Sequence, residues 1–178
     1  MPERVPKTTV LLASFNSESF LAQQLQSILD QTRKPSEIII SDDSSIDGTS
    51  AIIERLSQQR ETSVCIEEHA NPPCKRGLYS NFRNLFRIAL QVSSEVYLLS
   101  DHDDIWFPRK IETSVMALQS LNEKIGAENS PLLVYSDLAV VNEHGSTVST
   151  SFAEYQGLPD PHAQPLASLL HQNVVTGC

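Results

Sequence analysis

The sequence is poor in basic residues. Lys and Arg total 13 against 22 Asp and Glu, so the 178-residue chain carries a formal net charge of −9 at pH 7. Proteins that bind nucleic acids usually present a basic face to the phosphates, so this balance argues against a nucleic-acid partner. An anionic ligand of any other kind would need a metal ion or a local basic group to bind here.

Long apolar runs are also absent. No segment approaches the roughly 20 apolar residues that span a membrane, and the N-terminus lacks the apolar stretch of a signal peptide. We therefore expect no transmembrane segment and a cytoplasmic protein. The three cysteines, Cys65, Cys74 and Cys178, show no CxxC spacing, so they predict neither a zinc site nor a disulfide framework.

Glycine is scarce where phosphate-binding loops would need it. The six glycines lie at positions 48, 77, 126, 145, 157 and 177. None follows the first apolar run, so both the dinucleotide pattern G-x-G-x-x-G and the P-loop pattern G-x-x-x-x-G-K are missing. A phosphate-bearing ligand would therefore depend on a divalent cation rather than on a backbone cradle.

The first 125 residues alternate between short apolar runs and helical patterns. The runs at 8–14, 37–41, 64–66 and 96–99 predict strands, and the first two are nearly continuous, as in strands buried on both faces of a parallel sheet. Helical spacing of apolar residues between the runs completes the alternation. The pattern predicts an α/β fold with a doubly wound, mostly parallel sheet, in one domain over residues 1–178.

The pattern after residue 125 is less regular. Apolar residues at 132–135 and 139–141 predict a fifth and a sixth strand, and 142–145 predicts a hairpin-like turn. Residues 151–165 contain three prolines and predict an irregular loop, and 165–171 predicts a short helix.

Three carboxylates follow the fourth predicted strand, and they organise the rest of the interpretation. Asp101, Asp103 and Asp104 stand within four residues and repel one another at neutral pH. One interpretation is a site for a hard divalent cation, which prefers oxygen ligands. The alternative is an exposed acidic turn in which Asp104 caps the helix that begins near Pro108.

Polar breaks after the first, second and fourth strands favour the metal site. In a doubly wound sheet the carboxyl ends of the strands share one edge, where ligands bind. Ser14, Asp42 and Asp101 would therefore face one crevice. Asp42 or Asp43 could accept hydrogen bonds from a base or a ribose, although Asp43 or Asp47 could instead cap the next helix. The Lys75-Arg76 pair could contact phosphate or could simply be solvated.

Three segments resemble glycosyltransferase family 2, whose members are inverting, metal-dependent enzymes of the GT-A fold. The first two are Thr9-Val-Leu-Leu-Ala-Ser-Phe-Asn16 and Ile40-Ser-Asp-Asp-Ser-Ser-Ile-Asp-Gly-Thr49, and the third is Leu99-Ser-Asp-His-Asp-Asp-Ile-Trp106. The third resembles the bacterial rhamnosyltransferase-like branch, which builds O-antigen and other surface polysaccharides. The resemblance continues to Cys178.

The resemblance implies a role for each matching position. The donor would be a nucleotide-diphosphate sugar, UDP- or dTDP-linked, and the acceptor a glycan or a lipid-linked molecule. Asp103 would be the main ligand of Mg²⁺ or Mn²⁺ on the diphosphate, and Asp101 would lie near the ribose, the donor sugar and the metal. Ser14, Phe15, Asn16 and Glu18 would line the nucleoside pocket, and Asp42 or Asp43 would hold the base or the ribose. Arg76 of the basic pair is the remaining candidate for nucleotide-sugar binding.

No residue of this sequence matches the position of the family's general base. In the family it is an acidic residue C-terminal to the motif that ends at Gly177-Cys178, so the chain is expected to be the donor-binding part of a longer enzyme, and the catalytic residue is unknown. Asp137 is an alternative base because it follows a predicted strand. We expect peripheral association with the inner face of the membrane if the acceptor is lipid-linked, although no amphipathic basic helix is evident in the sequence.

Two other functions fit parts of the sequence. A nucleotidyltransferase could share a related α/β sheet, but it would need a basic Gly-rich loop after the first strand. A non-catalytic nucleotide-binding module would keep the same site without a base. Turnover of a nucleotide sugar by the longer enzyme would distinguish a transferase from such a module.

Overall fold

The computed structural model of the chain describes residues 5–58, 64–70, 76–126 and 131–158. The chain divides into two compact units, Met1–Asn129 and Ser130–Cys178. The expectation that residues 1–178 form a single domain stays a prediction.

The first unit is built around a four-stranded parallel sheet in the order β3-β2-β1-β4. The strands are β1 Thr8–Ser14, β2 Glu37–Asp42, β3 Cys65–Ala70 and β4 Val96–Ser100. The helices that follow them are α1 Leu21–Leu29, α2 Thr49–Ser57, α3 Leu78–Ala89 and α4 Lys110–Ile125. This alternation confirms the predicted α/β class and parallel sheet.

Helices cover both faces of the sheet, which explains the continuous apolar run of β1. Side chains alternate between the two faces of a strand. Val10 and Leu12 belong to one cluster with apolar residues of α1, α2 and α4. Leu11 and Ala13 belong to another cluster, to which α3 contributes Leu85 and Ala89. Because every residue of β1 is buried, a strand with a polar face could not occupy this position.

The second unit contains a small hairpin. Strands β5 Val140–Val141 and β6 Thr147–Ser149 pair antiparallel, and the predicted turn at 142–145 is confirmed. Asn142 closes this turn by accepting from the backbone N–H groups of His144 and Ser146 through Oδ1. Gly145 has a φ of 76°, a conformation that glycine adopts without steric cost.

Two predictions for this unit are wrong. Residues 132–135 form no strand, because an apolar run becomes a strand only where a neighbouring strand pairs with it. The predicted irregular loop contains a short helix, α5 Phe152–Gln156. Ser151 caps α5 by accepting a hydrogen bond from the backbone N–H of Glu154. The predicted helix at 165–171 lies outside the described residues.

Candidate functional site

The polar ends of β1, β2 and β4 lie at one edge of the sheet, as predicted. Parallel pairing places Ser14 beside Asp42 and Leu12 beside Ser100. The loops that leave these three strands therefore start side by side. In sheets of this kind the same edge forms the ligand crevice.

The loops after β1 and β2 are held together by reciprocal hydrogen bonds. The backbone N–H of Asn16 donates to Ser45 Oγ (2.8 Å), and that of Ile46 donates to Asn16 Oδ1 (3.1 Å). Glu18 makes the second pair of contacts. Its N–H donates to Asp47 Oδ2 (3.1 Å), and its Oε2 accepts from the N–H of Gly48 (3.1 Å). The side chains of Asn16 and Glu18 thus fix the shape of the crevice.

Two residues in these loops have left-handed backbone conformations. Asn16 has a φ of 47° and Ser44 a φ of 64°. Asparagine tolerates this region better than serine, which adopts it at a cost that the surrounding contacts must offset. Strained backbone of this kind is concentrated at ligand sites. Its presence in both loops supports the assignment of this edge as the functional site.

Asp42 and Asp43 are both buried, with 4% and 5% of their surfaces exposed. Both oxygens of Asp42 accept hydrogen bonds from Ser45, from the backbone N–H at 2.7 Å and from Oγ at 2.6 Å. Asp43 Oδ2 accepts from the N–H of Gly77 at 2.6 Å, which brings the start of α3 to the same edge. Asp43 does not cap α2.

Asp47 acts at the start of α2, whose N-cap position is occupied by Gly48. Its Oδ1 accepts a hydrogen bond from the backbone N–H of Thr49, the first residue of the helix, at 3.1 Å. A hydrogen bond from the Thr49 hydroxyl is the main reason that the pKa of Asp47 lies below its usual value. Asp47 is therefore the member of the predicted pair that supports this helix.

A further carboxylate lies two residues before the end of β3. It is Glu68, which is paired with Ile40 of β2, and Ser50 Oγ donates to its Oε1 at 3.2 Å. Burial, followed by the negative charges of Asp42 and Glu54, raises the pKa of Glu68. A cation bound at this edge would be attracted by the same field.

The acidic turn after β4 presents carboxylates in different environments. Asp103 is exposed, whereas Asp101 and Asp104 are half-buried. The Oδ2 atom of Asp104 is buried and has no hydrogen-bond partner. Helix α4 starts at Lys110 without a side-chain cap. The expectation that Asp104 caps this helix is therefore wrong, because residues 105–109 separate Asp104 from Lys110 and the N-cap position is occupied by Arg109.

The donor set of the acidic turn fits a hard divalent cation. Carboxylate oxygens are the ligands that Mg²⁺ and Mn²⁺ favour, and a buried oxygen without a partner lacks the hydrogen bond that such atoms normally have. Within the described ranges no group of three or more His, Cys, Asp and Glu side chains could hold a metal ion. A cation here would therefore take part of its coordination from a ligand or from water.

Helix α1 positions the acidic turn through a buried amide. Gln24 is fully buried. The indole nitrogen of Trp106 can only donate, so the carbonyl oxygen of the Gln24 amide must face it. In that orientation this oxygen accepts from Trp106 Nε1 (3.2 Å) and from Ser100 Oγ (2.6 Å), and the amide nitrogen donates to the backbone oxygen of Asp104. One side chain thus contacts both ends of the turn.

Two further polar residues, one in α1 and one just after it, bond to the segment that follows the acidic turn. Ser27 Oγ accepts from the backbone N–H of Trp106 at 3.0 Å, and Gln31 Nε2 donates to the backbone oxygen of Phe107 at 2.8 Å. Gln31 Oε1 accepts from the N–H of Ile111 at 3.1 Å. The sequence interpretation missed all three residues. Their spacing at 24, 27 and 31, beside the apolar stripe of the same helix, was the available signal.

Replacing Gln24 by leucine should lower the free energy of unfolding by about 1–3 kcal/mol, because Trp106 Nε1 and the other buried polar groups lose their partner. Urea denaturation measures this change. Gln23→Leu makes the same substitution at an exposed position of the same helix and should change stability by less than about 0.5 kcal/mol. Equal losses in the two variants would show that Gln24 does not hold the turn.

The other residues predicted for the site are not all grouped with the acidic turn. Phe15 is 48% exposed, so part of its ring is accessible at the crevice. Arg76 is exposed immediately before α3. Lys75, Cys74 and the segment that ends at Cys178 are outside the described residues.

Asp137, the alternative base, belongs to the second unit, where it supports the start of α5. Its Oδ1 accepts from the backbone N–H groups of Leu138, Phe152 and Ala153. A hydrogen bond with the Ser151 side chain, followed by these backbone contacts, lowers the pKa of Asp137. A carboxylate with a lowered pKa is a weaker proton acceptor, so this geometry disfavours Asp137 as the general base.

Comparison with known proteins gives a consistent result. Residues 9–125 match the family model described as Glycosyl transferase family 2. The dTDP-rhamnosyl transferase RfbG of Shigella flexneri is 31% identical, with 66% of this chain and 40% of that relative covered. The UDP-Glc:alpha-D-GlcNAc-diphosphoundecaprenol beta-1,3-glucosyltransferase WfaP of Escherichia coli is 30% identical, with 78% and 51% covered.

A solved structure shares the fold. It is the mannosyltransferase PcManGT from Pyrobaculum calidifontis in complex with GDP-Man and Mn²⁺, with 20% identity and a TM-score of 0.51, and it covers 64% of this chain and 32% of that one. The chain spans about half or less of the curated relatives it matches. In the part of the chain that the structure describes, no helix is both long enough and apolar enough to cross a membrane.

Proposed function

Because the chain belongs to glycosyl transferase family 2 and has the GT-A fold, we propose that it is the donor-binding part of an inverting, metal-dependent glycosyltransferase. The observation that supports this most is the shared edge of the sheet, where the Asp42-Asp43 pair follows β2 and the acidic turn at 101–104 follows β4, the two parallel strands on either side of β1. A nucleotide-diphosphate sugar needs contacts to its nucleoside and compensation for its diphosphate charge. The Asp42-Asp43 pair would supply the first, and a cation held by the acidic turn would supply the second.

The nucleoside would bind against the β1 and β2 loops. The partly exposed ring of Phe15 offers a surface on which a base can stack. Ser14 lies beside it at the end of β1, and Asn16 and Glu18 hold the loops in position. Asp42 or Asp43 would accept a hydrogen bond from the base or the ribose. A carboxylate does this best where backbone contacts already fix its orientation, as they do for Asp43.

The diphosphate would lie at the acidic turn. Asp103 would be the principal ligand of Mg²⁺ or Mn²⁺, with Asp101 contributing, and Gln24 would keep the turn in place. When bound, the cation would act as a Lewis acid that offsets the charge of the departing nucleoside diphosphate. Arg76, which is exposed before α3, would add positive charge near the phosphates.

The transfer itself would be a single displacement. The acceptor hydroxyl attacks the anomeric carbon of the sugar. The bond between that carbon and the nucleoside diphosphate breaks, and the nucleoside diphosphate departs with the bonding electron pair. A carboxylate base removes the hydroxyl proton. We place that base C-terminal to residue 178, in agreement with the share of the relatives' length that this chain covers.

The names of two relatives support the choice of donor and acceptor. One specifies a dTDP-linked donor, and the other specifies UDP-Glc and a diphosphoundecaprenol-linked acceptor. A UDP- or dTDP-sugar donor and a glycan or lipid-linked acceptor in the synthesis of a cell-surface glycan, such as O-antigen, fit this chain best. Such a reaction uses cytoplasmic donors, which is compatible with an enzyme at the inner face of the membrane.

Calorimetric titration with UDP, dTDP and GDP, each in Mn²⁺ and in EDTA, tests the proposal. We expect one pyrimidine diphosphate to bind in Mn²⁺ and to lose most of its affinity in EDTA. Equal binding in EDTA would contradict the metal assignment. Absence of binding both to this chain and to the longer protein would contradict the donor-binding function.

A further inference from the structure

Helix α3 exposes an apolar and basic surface to solvent. Tyr79, Arg83, Phe86 and Leu90 are spaced by four, three and four residues, so they follow one side of the helix. We name these four residues the outer stripe. Tyr79 is 91% exposed, Phe86 49% and Leu90 88%. Arg87 is exposed next to the stripe.

The outer stripe is not the side of α3 that packs most deeply on the sheet. The opposite side of the helix supplies the buried residues Asn81, Leu85 and Ala89. Two aromatic rings and a leucine follow one another along the solvent side of the helix, and contiguous exposed apolar residues of this kind mark interaction sites.

The charge around this helix is opposite to that of the whole protein. Residues 69–94 contain Lys75, Arg76, Arg83 and Arg87 and no Asp or Glu, although the chain has a net charge of −9. An anionic surface would therefore repel most of the molecule and attract the α3 side. Helix α3, which contains Arg83 and Arg87 and no acidic residue, was not singled out from the sequence.

We propose that the outer stripe of α3 docks on a membrane that contains anionic phospholipid. Aromatic and leucine side chains enter the boundary between headgroups and acyl chains, and arginines beside them bind lipid phosphates. A second copy of the chain fits this surface less well. In a two-fold symmetric contact the same patch meets itself, which would bring Arg83 and Arg87 close to their own copies.

Docking in this way would bring the ligand crevice to the membrane surface. The N–H of Gly77, directly before α3, donates to Asp43 at the crevice. Tyr79 lies in the first turn of α3, so the outer stripe begins at the crevice end of the helix. The inference deepens the proposed function, which has the enzyme at the inner face of the membrane, and its test by lipid binding is separate from the test by nucleotide binding.

Cosedimentation with vesicles tests the proposal. At low ionic strength the wild-type chain should bind vesicles of phosphatidylglycerol and phosphatidylcholine and should not bind vesicles of phosphatidylcholine alone. Arg83→Glu with Arg87→Glu should weaken binding by at least about thirtyfold, since each arginine near an anionic surface contributes a factor of about five. Tyr79→Ser with Leu90→Ser should weaken it while leaving the charge unchanged.

Arg55→Glu with Lys124→Glu is the matched control. It makes the same change in net charge at exposed positions on α2 and α4, which pack on the other face of the sheet. We expect vesicle binding within about twofold of wild type. Equal losses in the two charge variants, or no binding of wild type to anionic vesicles, would overturn the proposal. So would self-association of the wild type, without vesicles, that Arg83→Glu with Arg87→Glu removes.

Discussion

Asp103→Asn should abolish the metal-dependent binding of a nucleoside diphosphate and leave the fold intact. The substitution removes one negative charge with little change in volume, and Asp103 is the exposed carboxylate of the acidic turn. An amide oxygen is a much poorer ligand for Mg²⁺ or Mn²⁺ than a carboxylate, and coordination of the cation depends on very few protein groups here. We expect the affinity in Mn²⁺ to fall to the value that the wild type shows in EDTA, measured by calorimetric titration.

Asp30→Asn provides the control for this prediction. It makes the same chemical change at an exposed carboxylate at the C-terminal end of α1, which is outside the acidic turn. We expect both variants to unfold at the wild-type urea concentration within error. Normal binding of nucleotide by Asp103→Asn in Mn²⁺ would show that the metal ligands are elsewhere.

The position of the candidate site in the fold was predictable because strands in a parallel sheet all end at the same edge. β1 and β2 are continuous apolar runs that end in polar residues, and parallel strands place such ends at one edge. It was therefore enough to know that Ser14, Asp42 and Asp101 follow separate strands to predict that they lie at the same edge. The structure confirms the edge through its strand register.

The contacts that shape the site could not be predicted in the same way. The bond between Gln24 and Trp106 and the bonds between the β1 and β2 loops join residues far apart in sequence, and each depends on side-chain orientation. A local pattern does not contain that information. The sequence left Asp43 and Asp47 as alternatives at the start of α2 for the same reason, because the partner that Asp43 has in Gly77 is distant in sequence.

Leu25→Ala should lower the free energy of unfolding by about 2–5 kcal/mol, because it leaves a cavity among close-packed side chains. Leu25 is fully buried in the cluster that joins α1 to Val10 and Leu12 of β1 and to Trp106. A domain of this size has only about 5–15 kcal/mol of stability to lose. Urea denaturation monitored by circular dichroism measures the change.

Leu90→Ala removes the same atoms from a leucine that is 88% exposed, so its cost should stay within about 0.5 kcal/mol. Because the substitution is the same, the difference in the free energy of unfolding between the two variants measures the effect of burial. It also separates stability from function, because α1 carries both Leu25 in the core and Gln24 under the acidic turn. If Leu25→Ala cost no more than Leu90→Ala, α1 would not pack as described, and the attachment of the turn to this helix would fail with it.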